Sequence, residues 1–136
     1  MEVESLIEPS FFMEPRFTKL DLQNRTMDFA LRVLALVRAL PRGFGEEVIA
    51  KQLAKSATSV GANYREASHA KSSSDFASKL KICESEADET LYWLEILYKS
   101  GIIKPSRLEL LMAEAKELVA IFTAATRTAY AKLKTK

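Results

Sequence analysis

Apolar residues recur every three or four positions over most of this chain, which is the spacing of one face of an α-helix. The most regular stretch runs from Leu108 to Ala129, and three shorter stretches precede it. We therefore predict four helices. Their inward positions are Thr26, Ala30, Val33, Val37 and Leu40 in the first, Leu53, Ala57, Val60, Tyr64 and Ala67 in the second, Phe76, Leu80, Cys83, Ala87, Leu91, Leu94 and Leu97 in the third, and Leu108, Leu111, Ala115, Leu118, Phe122, Ala125 and Ala129 in the fourth.

Residues that break or cap helices separate these stretches, and they place the helices at residues 22–40, 46–70, 75–100 and 107–133. Asp21 is the predicted N-cap of the first helix, because its carboxylate can accept from free backbone N–H groups. One of the serines at 72–74 should cap the third helix, which Gly101 should end. Ser106 and Glu109 match the S-x-x-E capping box at the start of the fourth helix.

Four long helices with short connections predict an all-α fold, an antiparallel up-down-up-down four-helix bundle over residues 21–134. Four glycines and four prolines in 136 residues leave little material for turns, which favours few long helices over many strands. Residues 1–20 lack a clear period and contain Pro9 and Pro15, so they are predicted to form an irregular N-terminal arm.

The first and third helices carry more apolar surface than a single bundle can bury. In the third helix, Trp93 and Ile96 form a second stripe beside the inward one, and Tyr92 adds to it. Apolar surface on this scale usually marks a contact with a partner. We predict that the chain self-associates through Tyr92, Trp93 and Ile96. The alternative is that the N-terminal arm folds back over this surface.

The net charge of +2 combines an acidic start with a basic remainder. Residues 1–14 contain four glutamates and no basic residue, which leaves 20 basic and 14 acidic residues in the rest of the chain. A repeated basic surface in an oligomer could attract RNA or DNA without reading its sequence. The candidate nucleic-acid ligands are Arg25, Arg32, Lys51, Lys55, Arg65, Arg127 and Lys132, and the alternative is a solvated charged surface.

Polar residues beside the apolar stripes of the second and third helices could meet in a hydrogen-bonded network that fixes the register of the helices. The candidate members are Ser56, Ser59, Asn63 and Glu66 on the second helix, and Glu86 and Glu89 on the third. Glu66 and His69 also match half of a di-iron bundle motif, but His69 is the only histidine in the chain. We therefore expect no metal, no cofactor and no catalytic residue, and a metal-dependent enzyme is a remote alternative.

The expected location is the cytoplasm. Cys83 is the only cysteine, no apolar run approaches the ~18 residues that span a membrane, and the acidic N-terminus lacks the basic segment of a signal peptide. We expect no association with membranes.

A family resemblance rests mainly on the second and third helices. The motif residues are Ser59-Val60-Gly61-Ala62-Asn63-Tyr64-Arg65-Glu66-Ala67, then Asp75-Phe76, Lys79-Leu80, Ile82, Glu89-Thr90 and Tyr92-Trp93-Leu94-Glu95. With these residues the chain resembles, over residues 17–133, bacterial four-helix-bundle proteins encoded by intervening sequences of large-subunit ribosomal RNA genes. Residues 1–16 lie outside the resemblance.

The resemblance implies an up-down bundle and, as in several relatives, a ring of five subunits, a homo-pentamer. A distantly related branch, the accessory protein of diversity-generating retroelements, implies nucleic acid and a reverse transcriptase as partners. The resulting expectation is a non-enzymatic oligomeric scaffold or adaptor with weak, sequence-independent affinity for nucleic acid. The alternative is a purely structural homo-oligomer that binds another protein.

Overall fold

The computed structural model describes residues 18–135, which form four long α-helices and contain no strand. The helices are α1 (Lys19–Ala39), α2 (Phe44–Ala67), α3 (Ser73–Ser100) and α4 (Glu109–Lys134), and a 3₁₀ turn (Pro105–Arg107) precedes α4. The predicted all-α class is confirmed, and the short loops are consistent with an up-down-up-down bundle. None of the described helices has the length and apolar character needed to cross a bilayer.

Helix α1 begins earlier than predicted because Thr18, and not Asp21, is its N-cap. The Asp21 backbone N–H donates to Thr18 Oγ1 at 3.0 Å, and the Thr18 N–H donates to Asp21 Oδ2 at 3.1 Å. This reciprocal pair is a capping box with Asp21 in the third helical position. The last residues of the predicted arm therefore belong to the helix, and the rest of the arm, residues 1–17, lies outside the described residues.

The ends of α3 follow the prediction. The Asp75 N–H donates to Ser72 Oγ at 3.0 Å, so Ser72 is the N-cap. Gly101 ends the helix with a φ of 76°, a left-handed conformation that glycine adopts without a Cβ clash.

The predicted capping box at Ser106 and Glu109 is wrong. Pro105 starts a 3₁₀ turn that draws Ser106 into helical geometry, whereas an N-cap residue needs an extended backbone. Leu108 occupies the cap position of α4 without a side-chain hydrogen bond, and Glu109 is the first helical residue.

Most of the predicted core is confirmed. Every inward position of α2 and α4 is buried, as is every inward position of α3 except the half-buried Leu91. Helix α1 differs, because Phe29 and Leu36 are buried while Ala30, Val37 and Leu40 are only half-buried. Since α1 is apolar over a wide arc, its periodicity does not decide which side of the helix faces the core. The side that carries the large ring of Phe29 is the one that is buried. Helix α3 packs on both α2 and α4, whereas α1 packs mainly on α2.

Candidate binding surfaces

The predicted nucleic-acid ligand Arg25 is engaged within the bundle. Its Nε and Nη2 donate to the two carboxylate oxygens of Glu114 at 2.7 and 2.8 Å, and Nη2 also donates to Glu117 Oε2 at 2.8 Å. Hydrogen bonding to Glu114 raises the pKa of the Arg25 guanidinium. Arg25 therefore joins α1 to α4 through its guanidinium, and whether it also contacts nucleic acid stays a prediction.

The other predicted cations fall on three helices. Lys51, Lys55 and Arg65 are exposed on one side of α2, because their spacing places them within an arc of ~80° around the helix. In the described part of the chain, none of these three has a carboxylate within salt-bridge distance. Arg127 and Lys132 are exposed on α4, and Arg32 is half-buried on α1. Only the α2 cations form a row, and whether any of these residues binds nucleic acid stays a prediction.

Three members of the predicted polar network bond within their own helix or to a residue outside the network. Asn63 Nδ2 donates to the Ser59 carbonyl oxygen at 2.9 Å within α2, and Glu66 Oε1 accepts from Lys79 Nζ at 3.1 Å. Glu89 accepts from Trp93 Nε1 at 3.3 Å within α3. Among residues 18–135, no hydrogen bond joins the α2 members of the predicted network to Glu86 or Glu89, because Ser59 and Asn63 lie beside the α2 surface that meets α3.

One predicted member, Ser56, does contact α3, where its partner is Thr90. Thr90 Oγ1 is 2.8 Å from Ser56 Oγ, and both residues are fully buried. The sequence pattern includes Ser56 in the network but does not identify Thr90 as its partner. A hydroxyl pair satisfies both polar groups away from water, as buried polar groups require.

The surroundings of Glu86 on α3 disfavour the charged form of its carboxyl group. Burial raises its pKa and the negative charge of Glu89 adds to the effect, while Lys55 opposes it. Ionising Glu86 therefore costs more in the folded chain than in the unfolded chain. Glu86 lowers stability progressively as the pH rises from the unfolded-state pKa through the raised folded-state value, and it has no such effect at lower pH.

Three side chains on the C-terminal half of α3 form an exposed apolar region, which we call the α3 aromatic surface: Tyr92, Trp93 and Ile96. Tyr92 is 56% exposed, and its ring centroid lies 5.1 Å from that of Trp93 in an edge contact. Trp93 and Ile96 are half-buried against the core. The structure thus places the predicted oligomer contact on the outside of the bundle.

A second apolar region, which sequence reasoning did not identify, is a groove of about 670 Å³ between α1 and α2. We call it the α1–α2 groove. Met27 and Leu31 on its α1 side are 48% and 57% exposed, and Ala62 lies on its α2 side. Its end near the α2–α3 loop is polar and is lined by Arg65, Glu66, His69, Lys71, Asp75 and Lys79. The signal for it was the apolar surplus of the first helix, which the sequence could not assign to a surface.

Glu66, His69 and Cys83 have side chains capable of metal binding or nucleophilic chemistry, and each lies in different surroundings. Glu66 is paired with Lys79, and His69 is exposed at the end of α2. Within residues 18–135, no three His, Cys, Asp or Glu side chains are grouped so that they could hold a metal ion. Cys83 is buried against the Val60 carbonyl, and burial raises the pKa of its thiol to about 12.

Comparison with known proteins agrees with this architecture. The family model described as 23S rRNA-intervening sequence protein matches residues 18–124. A crystal structure from Bacteroides thetaiotaomicron VPI-5482, a protein with unknown function from the S23 ribosomal protein family, is 34% identical with a TM-score of 0.73. The alignment covers 80% of this chain and 97% of that chain. No curated protein matches the chain.

The family match spans α1, α2 and α3 completely and more than half of α4. It includes the motif residues on α2 and α3 that carried the resemblance, and the similar crystal structure is itself assigned to the S23 family. The chain belongs to the 23S rRNA-intervening sequence protein family.

Proposed function

We propose that this protein works by binding rather than by catalysis, as a self-associating helical scaffold. The observation that supports this proposal is the α3 aromatic surface. Tyr92 and Trp93 present adjoining rings on the outside of a helix whose opposite side is already buried in the core. Aromatic side chains are enriched at the centres of protein interfaces, where they supply large contact areas.

The surface is also held in one arrangement before any partner arrives. Trp93 packs on the core and its indole N–H donates to Glu89. These contacts hold the indole in place, and the Tyr92 ring packs against it. A preorganised side chain loses little conformational freedom on association, so more of its contact energy appears as affinity. A ring of five copies, as the family resemblance implies, is the assembly that we propose.

The test is the mass of the particle in sedimentation velocity. The Tyr92→Glu variant places a charge on the α3 aromatic surface while leaving the core intact, so we expect particles smaller than those of the unmodified chain. The matched control is Ile82→Glu, which replaces an exposed apolar residue of α3 outside that surface and should not change the mass. A monomeric unmodified chain, or an equal effect of the two variants, would contradict the proposal.

The row of α2 cations favours a second candidate function, weak binding to the phosphate backbone of RNA or DNA. Lys51, Lys55 and Arg65 extend over fourteen residues of one helix side, a distance of ~21 Å at 1.5 Å per residue. Each copy in an assembly would repeat the row, which increases the summed positive potential. Phosphate contacts of this kind carry no sequence information.

Filter binding to single-stranded RNA over a salt series tests this function. Replacing Lys51, Lys55 and Arg65 together by Gln should weaken binding and reduce the slope of log K against log salt by about 2, since each lost phosphate contact on a single strand removes ~0.7. The control replaces Lys81, Lys99 and Lys104 by Gln, which removes the same charge from exposed positions outside α2. Equal losses in the two triple variants would indicate a general charge effect and no α2 site.

A further inference from the structure

The α1–α2 groove is an apolar surface that the described residues leave open. Met27 and Leu31 each expose about half of their surface along it, and Ala30 and Leu34 extend the same apolar side of α1. Exposed apolar surface of this kind is usually covered by a partner or by another part of the same chain. The chain contains a segment with the position, length, apolar content and charge to cover it.

We propose that the N-terminal arm, residues 1–17, packs along the α1–α2 groove of its own chain. The inference concerns a different surface from the α3 aromatic surface and does not depend on self-association. The arm also lies outside the family match, which begins at Thr18, so its docking would be a property of this chain and not one shared across the matched region.

The arm joins the bundle at the correct end of the groove. It ends immediately before Thr18, and the first α1 residue that lines the groove is Gln23, only ~7.5 Å further along the helix axis at 1.5 Å per residue. The lining of α1 continues to Leu34, a further ~16 Å. Seventeen residues can span up to ~56 Å when extended, so the arm can reverse direction at Thr18 and still follow the whole groove.

The side chains of the arm match the two parts of the groove. Leu6, Ile7 and the run Phe11-Phe12-Met13 supply apolar groups for the part lined by α1. Glutamates at positions 2, 4, 8 and 14 outnumber the single basic residue of the arm, Arg16. Lys71 at the polar end of the groove has no carboxylate within salt-bridge distance in the described residues, so the arm can supply its counter-charge.

Thiol labelling of the full-length chain tests the proposal without assuming a register for the arm. An Ala62→Cys substitution places a thiol in the groove, and its labelling rate is compared between the native arm and an arm with Phe11, Phe12 and Met13 replaced by Ser. Cys83 does not interfere, because its thiol is buried. The matched control is Ser85→Cys, an exposed serine of α3 outside the groove.

The expected result is a labelling rate at position 62 that rises by about tenfold or more when the arm residues are replaced. The short connection gives the arm an effective concentration in the millimolar range at the groove, so the native arm covers position 62 most of the time. The rate at position 85 should not change. An unchanged rate at position 62, or equal increases at both positions, would overturn the proposal. Protection that disappears when the protein is diluted about a hundredfold would also overturn it, since an intramolecular contact does not depend on concentration.

Discussion

Thr90 and Ser56 show how single hydroxyl groups hold α3 against α2. Thr90 Oγ1 lies 2.8 Å from Ser56 Oγ and 2.8 Å from the Glu86 carbonyl oxygen. A hydroxyl can donate one hydrogen bond and accept others, so the pair and the carbonyl satisfy one another without water. The cost of disrupting such a pair comes mainly from the polar group that is left buried alone.

We expect Thr90→Val to reduce the free energy of unfolding by about 1–3 kcal/mol, because Ser56 Oγ loses its partner. Ser56→Ala combined with Thr90→Val should cost less than the sum of the two single changes, since the double variant leaves no buried hydroxyl unpaired. Chemical denaturation measures both values. The control is Thr58→Val, which removes an exposed hydroxyl that bonds only within α2 and should change stability by less than about 0.5 kcal/mol.

Gly61 determines how closely α1 and α2 approach. A Cβ at this position would lie 3.0 Å from Thr26 Oγ1 and 3.3 Å from Thr26 Cβ, whereas the helix itself would favour alanine. Thr26 is fully packed and its hydroxyl donates to the Leu22 carbonyl oxygen, so it has little freedom to move. Both residues line the α1–α2 groove.

Gly61→Ala should therefore destabilise the bundle by about 1 kcal/mol or more, although alanine is the better helix former. Adding Thr26→Ala should recover part of that loss, because it removes the atom nearest to the new Cβ. The control is Gly45→Ala, since nothing lies within 4 Å of a Cβ at that position and the change should be neutral or stabilising. Thermal unfolding distinguishes these results, and a Gly61→Ala variant as stable as Gly45→Ala would show that the two helices can separate without cost.

The elements that could be predicted from sequence are those in which one apolar stripe repeats without interruption. In α4 the spacing of three and four holds from Leu108 to Ala129, so Leu111, Leu118 and Phe122 are assigned to the core from spacing alone. In α1 the apolar arc is wide, and the predicted core lacks Phe29 because spacing cannot rank competing sides of one helix. The Ser106 cap was wrong because Pro105 starts a separate turn, which depends on backbone geometry that the S-x-x-E pattern does not encode.

The whole bundle depends on contacts between residues that are distant in sequence, and Arg25 provides the clearest case. Helix α1 packs mainly on α2, and the Arg25 ion pairs with Glu114 and Glu117 connect its other side to α4. No pattern in the sequence indicates this contact, because Glu114 and Glu117 follow Arg25 by 89 and 92 positions. The sequence therefore predicts Arg25 as a candidate nucleic-acid ligand but not as a link between α1 and α4.

We expect Arg25→Gln to lower the free energy of unfolding by about 1–3 kcal/mol, because it leaves the mostly buried carboxylate of Glu114 without its charged partner. Glu117→Gln should cost less than about 0.5 kcal/mol, since the side chain of Glu117 is 66% exposed and water screens its charge. Denaturation at low and high salt measures both effects. Equal costs for the two variants would mean that the bidentate Glu114 contact contributes nothing beyond a surface pair.

Trp93 is the only tryptophan in the chain, and the bundle places it at the edge of the solvent, half-buried beside Tyr92 and Glu89. Tryptophan fluorescence, excited at wavelengths that tyrosine does not absorb, therefore reports on this one location. Displacement of water from the indole by an arriving surface shifts its emission to shorter wavelengths and reduces quenching by iodide. The protein thus contains its own optical probe at the position where copies are proposed to meet, and a titration of concentration can be followed without any attached dye.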